Sequence, residues 1–189
     1  MIMGFLRSLF RYLLITAALL AGVVVHIVLQ DLLPAPFNRL NVVFILVLGL
    51  VVLFRDLRII WVGIGLGFIL EIFSVTPFGA IMISLLVGLW AGGWILLRLL
   101  SSHTFGVIFF ATAVGIIVYR LVLSGLLWIF NLFGFFSFGL TTAAISAALI
   151  EAVLSGAVMA GLYFIGAQFI RRLRPEYVNT QQSFFYGRR

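Results

Sequence analysis

Cysteine is absent from the 189 residues, which excludes a disulfide framework, a thiol nucleophile and an iron–sulfur site. Lysine is absent too, so all 12 basic residues are arginine. Arginine suits the geometry of phosphate, as in lipid head groups; codon usage accounts for the same bias. Acidic residues number 5 and histidines 2, the latter (His26 and His103) far apart and outside any HExxH pattern. That leaves no recognisable zinc site. No phosphate loop, no GxGxxG in a strand–helix setting and no GxSxG elbow occurs. The sequence therefore offers no catalytic, cofactor-binding or metal-binding residues, and a protein without enzymatic activity is expected. The net charge of +7 is scattered between apolar runs, which points to membrane topology and not to nucleic acid.

What is present is apolar. Hydrophobic residues make up 65% of the chain and charged residues 9%, with a mean hydropathy of +1.31. A soluble unit of this size has no interior large enough for so much apolar surface. The runs are continuous and do not alternate, so the expected fold is all-α, a polytopic membrane helical bundle and not a barrel. Six transmembrane helices are expected at 12–29, 42–54, 59–73, 78–97, 105–122 and 142–170. The first run is too long for a signal peptide and reads as an uncleaved span. Together they form one domain over 1–175, followed by a polar cytoplasmic tail at 176–189. Residues 123–141 are rich in phenylalanine and interrupted by Gly125, Gly134 and Gly139. A seventh span there would put the chain ends on opposite sides. Six spans with both ends in the cytoplasm place ten arginines inside and only Arg39 and Arg120 outside, as the positive-inside rule requires. The segment 123–141 is accordingly expected as an interfacial or re-entrant element on the outer side.

One stretch, 63–79, organises the rest. Gly63, Gly67, Glu71 and Ser74 fall on one helical face. Small residues four apart admit another helix at close range, and Glu71 then puts a costly carboxylate on the same face. Thr76 precedes Pro77 and is disfavoured in helix, so the span ends there, and Gly79 permits the turn into the next run. These six positions (Gly63, Gly67, Glu71, Ser74, Pro77 and Gly79) are expected as a partner-binding or structural hairpin.

Four ionisable groups lie within or at the edges of the spans: His26, Glu71, Arg120 and Glu151. Counting rise per residue brings all four to a similar depth in the outer half. Arg120 is expected to pair with Glu71 or Glu151, because unpaired buried charge is expensive; the competing reading is that Arg120 snorkels to the head groups while Glu151 faces water. Small-residue rows recur at Ala144, Ala148, Ala152, Gly156 and Ala160, at Gly88 and Gly92, and at Ala111 and Gly115. Bundle packing explains them more readily than a subunit interface. An intramembrane pair of Ser74 with His26 is the residual enzymatic reading.

The run 58–79, with its glycine-rich span, Glu71, Ser74 and the turn ending in Gly79, resembles the signature of the rod shape-determining protein MreD family. Gln30, Asp31, Pro34 and Asn41 in the first loop are similar to the family's first two spans. Glu71 stands where that family usually has Asp, and Val75 where Gly often follows the Ser. The resemblance implies a non-enzymatic bacterial inner-membrane scaffold of the cell-elongation machinery, acting in cell-shape determination and peptidoglycan synthesis. Its implied partner is an MreC-like periplasmic scaffold protein, and through it RodA-like and penicillin-binding proteins, with the lipid bilayer as surroundings and no nucleic acid. The resemblance also implies a fold distantly similar to that of the substrate-binding subunits of energy-coupling-factor vitamin transporters. The alternative function is therefore such a subunit, with His26, Glu71, Arg120 and Glu151 as the outer-half polar lining of its pocket.

Overall fold

The run from Val42 to Phe54 is apolar on every face. A helix without a polar stripe has no side to give to water and belongs in an interior. That is its position in the computed structural model, which describes residues 17, 20–54, 56–99, 105–134 and 142–173. Val43, Phe44, Val47, Leu48 and Val51 are fully buried. Helix α2 (Val42–Phe54) touches four further helices, α3 (Ile60–Ile72), α4 (Ala80–Leu99), α5 (Phe105–Leu132) and α6 (Thr142–Leu173). Helix α1 (Leu20–Leu32) lies against it where Gly22 admits the Leu46 side chain. The hub of the bundle is thus α2, and the 63–79 hairpin packs onto it through Gly63, beside Val47.

Among the described residues all regular structure is helical. Three helices are long and apolar enough to cross a membrane: Ala80–Arg98, Phe105–Leu132 and Thr142–Gly166. Helices α2 and α3, at 13 residues each, reach only about 20 Å against a hydrocarbon core of about 30 Å. A short 3-10 turn precedes each of them, Phe37–Arg39 before α2 and Leu57–Ile59 before α3.

The long helices are joined by glycine. A methyl group on Gly88 of α4 would sit 2.6 Å from Tyr119 Cβ and 2.7 Å from the Gly115 carbonyl of α5. On Gly115 it would meet Phe44 Cζ at 2.7 Å and the Gly88 carbonyl at 3.0 Å. The two backbones are therefore in direct contact, which only glycine allows. Gly156 of α6 packs on Phe109 of α5 in the same way, at 3.1 Å. The small-residue rows are spent on internal packing. Ser84 and Thr112 are buried on these seams, each donating to the carbonyl four residues back in its own helix.

One boundary differs from the sequence expectation. The fifth helix does not end near 122 but continues through Leu132, so 123–132 is not a separate element. Tyr119, Leu123 and Leu127 are buried at four-residue spacing, and this continuing stripe outweighs the helix-weakening Gly125, which faces open space. The helix stops at Gly134, whose φ of 75° suits glycine. Residues 135–141, the remainder of the segment expected to be interfacial or re-entrant, lie outside the described residues, as do the tail 176–189 and most of the first span before Leu20.

Candidate functional site

Among the described residues two polar constellations stand out in a largely apolar bundle. The first joins α2, α5 and α6. Glu151, only 1% exposed, is ion-paired through Oε2 with Arg120, whose Nε donates at 2.5 Å and whose guanidinium makes a second contact with the same oxygen. Glu151 Oε1 accepts from Asn41 Nδ2 at 3.2 Å. Asn41 in turn receives the Phe44 backbone N–H on Oδ1 at 3.1 Å, capping α2, and donates its own backbone N–H to Ser155 Oγ at 3.2 Å. Glu151 and Ser155 are one helical turn apart, so one face of α6 holds both ends of Asn41. Arg120 is the half-exposed member, and its guanidinium carbon lies 5.6 Å from the Tyr119 ring. Arg39, on the turn before α2, brings a second positive charge within electrostatic range of Glu151.

The second constellation closes the α3–α4 hairpin. Glu71 is 5% exposed. Its Oε1 accepts the Ile81 backbone N–H at 2.8 Å, one of the N–H groups left free at the start of α4. A carboxylate there also meets the positive end of the helix dipole. Its other oxygen, Oε2, is buried and has no hydrogen-bond partner among the described residues. Ser74 Oγ donates to the Glu71 carbonyl at 3.2 Å and meets Thr76 Oγ1 at 2.6 Å. Pro77 accepts from Ala80, and Gly79, at φ 93°, accepts from Ile83. Gly63 and Gly67 face α4: a methyl on Gly67 would lie 2.9 Å from Met82 Cα. All six hairpin positions thus act on one α3–α4 junction.

The four ionisable residues do not form one cluster. Arg120 pairs with Glu151 and not with Glu71, which belongs to the hairpin. His26 lies within electrostatic range of Arg120 and of the Leu40 backbone; its Nε2 accepts from Gln30 at 3.2 Å, while its buried Nδ1 has no partner at ordinary hydrogen-bond distance among the described residues. His26 and Ser74 each bond elsewhere and do not meet. Among the described residues no three of His, Cys, Asp and Glu gather as a metal site would require. Asn41, which the sequence marks only through its likeness to the family's first loop, and Ser155, which it places only in a small-residue row with Ala147 and Glu151, are members of the site that the pattern of ionisable groups does not include. The available signals were a polar residue at the head of an apolar run and a serine one turn from Glu151.

Around the hairpin turn the surface is apolar. Phe73, Val75 and Phe78 are exposed, Val75 at 90%, and Phe78 stacks edge-on against Phe68 with ring centroids 5.7 Å apart. No protein-family model, curated protein or solved structure matches the chain.

Proposed function

We propose that the chain is a non-enzymatic scaffold of the bacterial inner membrane, MreD-like, that binds an MreC-like periplasmic partner in the cell-elongation machinery. The observation that carries this reading is the use made of the charged core. Arg120, Glu151, Asn41 and Ser155 take their hydrogen bonds from one another and tie three helices. A ligand pocket instead gathers polar groups free to meet a guest, whereas the ionisable groups left with an unpartnered buried atom among the described residues, His26 at Nδ1 and Glu71 at Oε2, belong to separate constellations. The hairpin residues that resemble the MreD signature also share one task, the α3–α4 junction.

In this reading α1 to α3 complete a six-span bundle with the three long helices, and both chain ends are cytoplasmic. The hairpin turn then faces the periplasm and presents Phe73, Val75 and Phe78 to the partner. Apolar side chains clustered on a turn are a recognition surface in either water or an interface.

Purification of the tagged protein from its native membrane in a gentle detergent, read by mass spectrometry for proteins and small molecules, tests the proposal. An MreC-like protein is expected, and Val75→Glu with Phe78→Glu is expected to abolish its recovery while the bundle stays folded. Recovery of transporter energising subunits or a bound vitamin-like molecule instead would move the function to uptake.

A further inference from the structure

At the opposite end of the same hairpin lies a groove of about 370 Å³, between the start of α3 and the middle of α4. Leu57, Trp61, Leu86, Val87 and Trp90 form its apolar walls, and Arg58 stands among them. Trp61 and Trp90 are 67% and 58% exposed. Indole rings in this setting mark the head-group level of a bilayer. Gly93 packs on Ile60 and Leu57, which sets the last two turns of α4 beside the turn that carries Arg58. There Arg98 lies over the Trp94 ring at 4.0 Å.

The charges at this end are unbalanced. The Asp56 carboxylate accepts the Arg58 backbone N–H at 2.9 Å and caps the turn Leu57–Ile59. Among the described residues the one ion pair is Arg120–Glu151, so the guanidiniums of Arg58 and Arg98 pair with none of the described carboxylates. An apolar trough flanked by tryptophan, with arginine at head-group level, complements an acyl chain joined to a phosphate.

We propose that this groove is a binding site for an anionic phospholipid, with one acyl chain lying along Leu86, Val87 and Trp90 and the head-group phosphate held by Arg58 and Arg98. The site is independent of the scaffold reading, because it needs only the membrane-embedded hairpin. With the chain ends in the cytoplasm, the lipid belongs to the inner leaflet.

The test uses the full chain in neutral detergent, with lipid retention measured by native mass spectrometry after exposure to phosphatidylglycerol or phosphatidylcholine of the same chain length. Preferential retention of phosphatidylglycerol is expected. Arg58→Gln should lower that retention about fivefold, from the usual strength of one arginine near an anionic head group, and Arg58→Lys should keep most of it. Leu86→Trp, which fills the groove and leaves the charge intact, should also lower retention. Equal retention of the two lipids, or an unchanged value in either Arg58→Gln or Leu86→Trp, overturns the proposal. So does displacement of phosphatidylglycerol by millimolar inorganic phosphate, which would reduce the site to surface charge. Size-exclusion profiles identify any variant that fails to fold, and the groove-filling and charge-removing variants then decide separately.

Discussion

Glu151 is buried to 1% exposure yet sits among side chains that compensate its charge from both oxygens. Taking one partner away is therefore worse than taking both. Arg120→Leu leaves a buried carboxylate with Asn41 as its hydrogen-bond donor and Arg39 at longer range, and a loss of about 3–5 kcal/mol is expected for breaking such a pair from one side. Arg120→Leu combined with Glu151→Leu should recover most of that loss. A double-mutant cycle on unfolding in detergent measures the difference, and simple additivity would show that the two residues do not act as a pair. Glu71 makes a separate, smaller case. Glu71→Gln keeps an oxygen for the Ile81 N–H and removes the charge, so a cost of about 0.3–1 kcal/mol is expected. Glu71→Ala leaves that N–H without its partner, at about 1–3 kcal/mol; equal effects in a thermal melt would contradict the capping role. The sequence shows why both carboxylates need partners, since charge in an apolar run is costly wherever it lies. It does not show which partners they find. Depth counting puts Glu71 and Glu151 at one level, but depth says nothing about the side of the bundle on which each one faces. That depends on how α3 and α6 are rotated about the central α2, a consequence of packing distributed over the whole chain.

Helices α4 and α5 meet backbone to backbone, so the seam between them is sensitive to a single carbon. Gly88→Ala should be strongly destabilising, because its methyl would fall 2.6 Å from Tyr119 Cβ and 2.7 Å from a carbonyl that belongs to rigid helix. Gly125→Ala, in the same α5 but with nothing within 4 Å, should instead stabilise by about 0.5–1 kcal/mol through helix propensity. Paired melting curves of the two variants check this, and a neutral Gly88→Ala would mean that the seam is looser than the distances imply. Such seams are legible in sequence as small residues four apart, and the spacing alone marks Gly88, Gly92 and Gly115 as packing positions. Two other features are not legible in that way. The run 42–54 looks like any short span, and its role as hub follows only from the neighbours on every side of it. The continuation of α5 past 122 is hidden by Gly125 and the phenylalanines, although Tyr119, Leu123 and Leu127 carry the helical period straight through. Local composition favours a break there, and the stripe against the bundle favours helix.

At the scale of the whole molecule, the length of α3 sets the question of how many times the chain crosses. At 13 residues it spans about 20 Å, less than the hydrocarbon core of about 30 Å. A short helix is accommodated by local thinning of the bilayer, or by flanking residues that reach to the interface, at a fraction of a kcal/mol per Å. The ends of α3 are suited to this: Asp56 and Arg58 lie at one and Ser74 and Thr76 at the other. Its interior face is also closed by Gly63 and Gly67 against α4, itself long enough to cross. An antiparallel partner so closely packed holds α3 at the same depth along its length. The expected result is that Asp56→Cys and Val75→Cys label from opposite sides of the membrane. The chain has no native cysteine to interfere. In the orientation that the scaffold reading proposes, with the arginine-rich ends inside, Val75→Cys should react with an impermeant maleimide in intact cells, and Asp56→Cys only after the membrane is opened. Labelling of both from one side would mean that α3 does not cross, leaving a bundle of fewer spans. Labelling from opposite sides in the reverse order would put the apolar turn in the cytoplasm, where no periplasmic protein reaches it, and would remove the scaffold reading along with the orientation on which it rests.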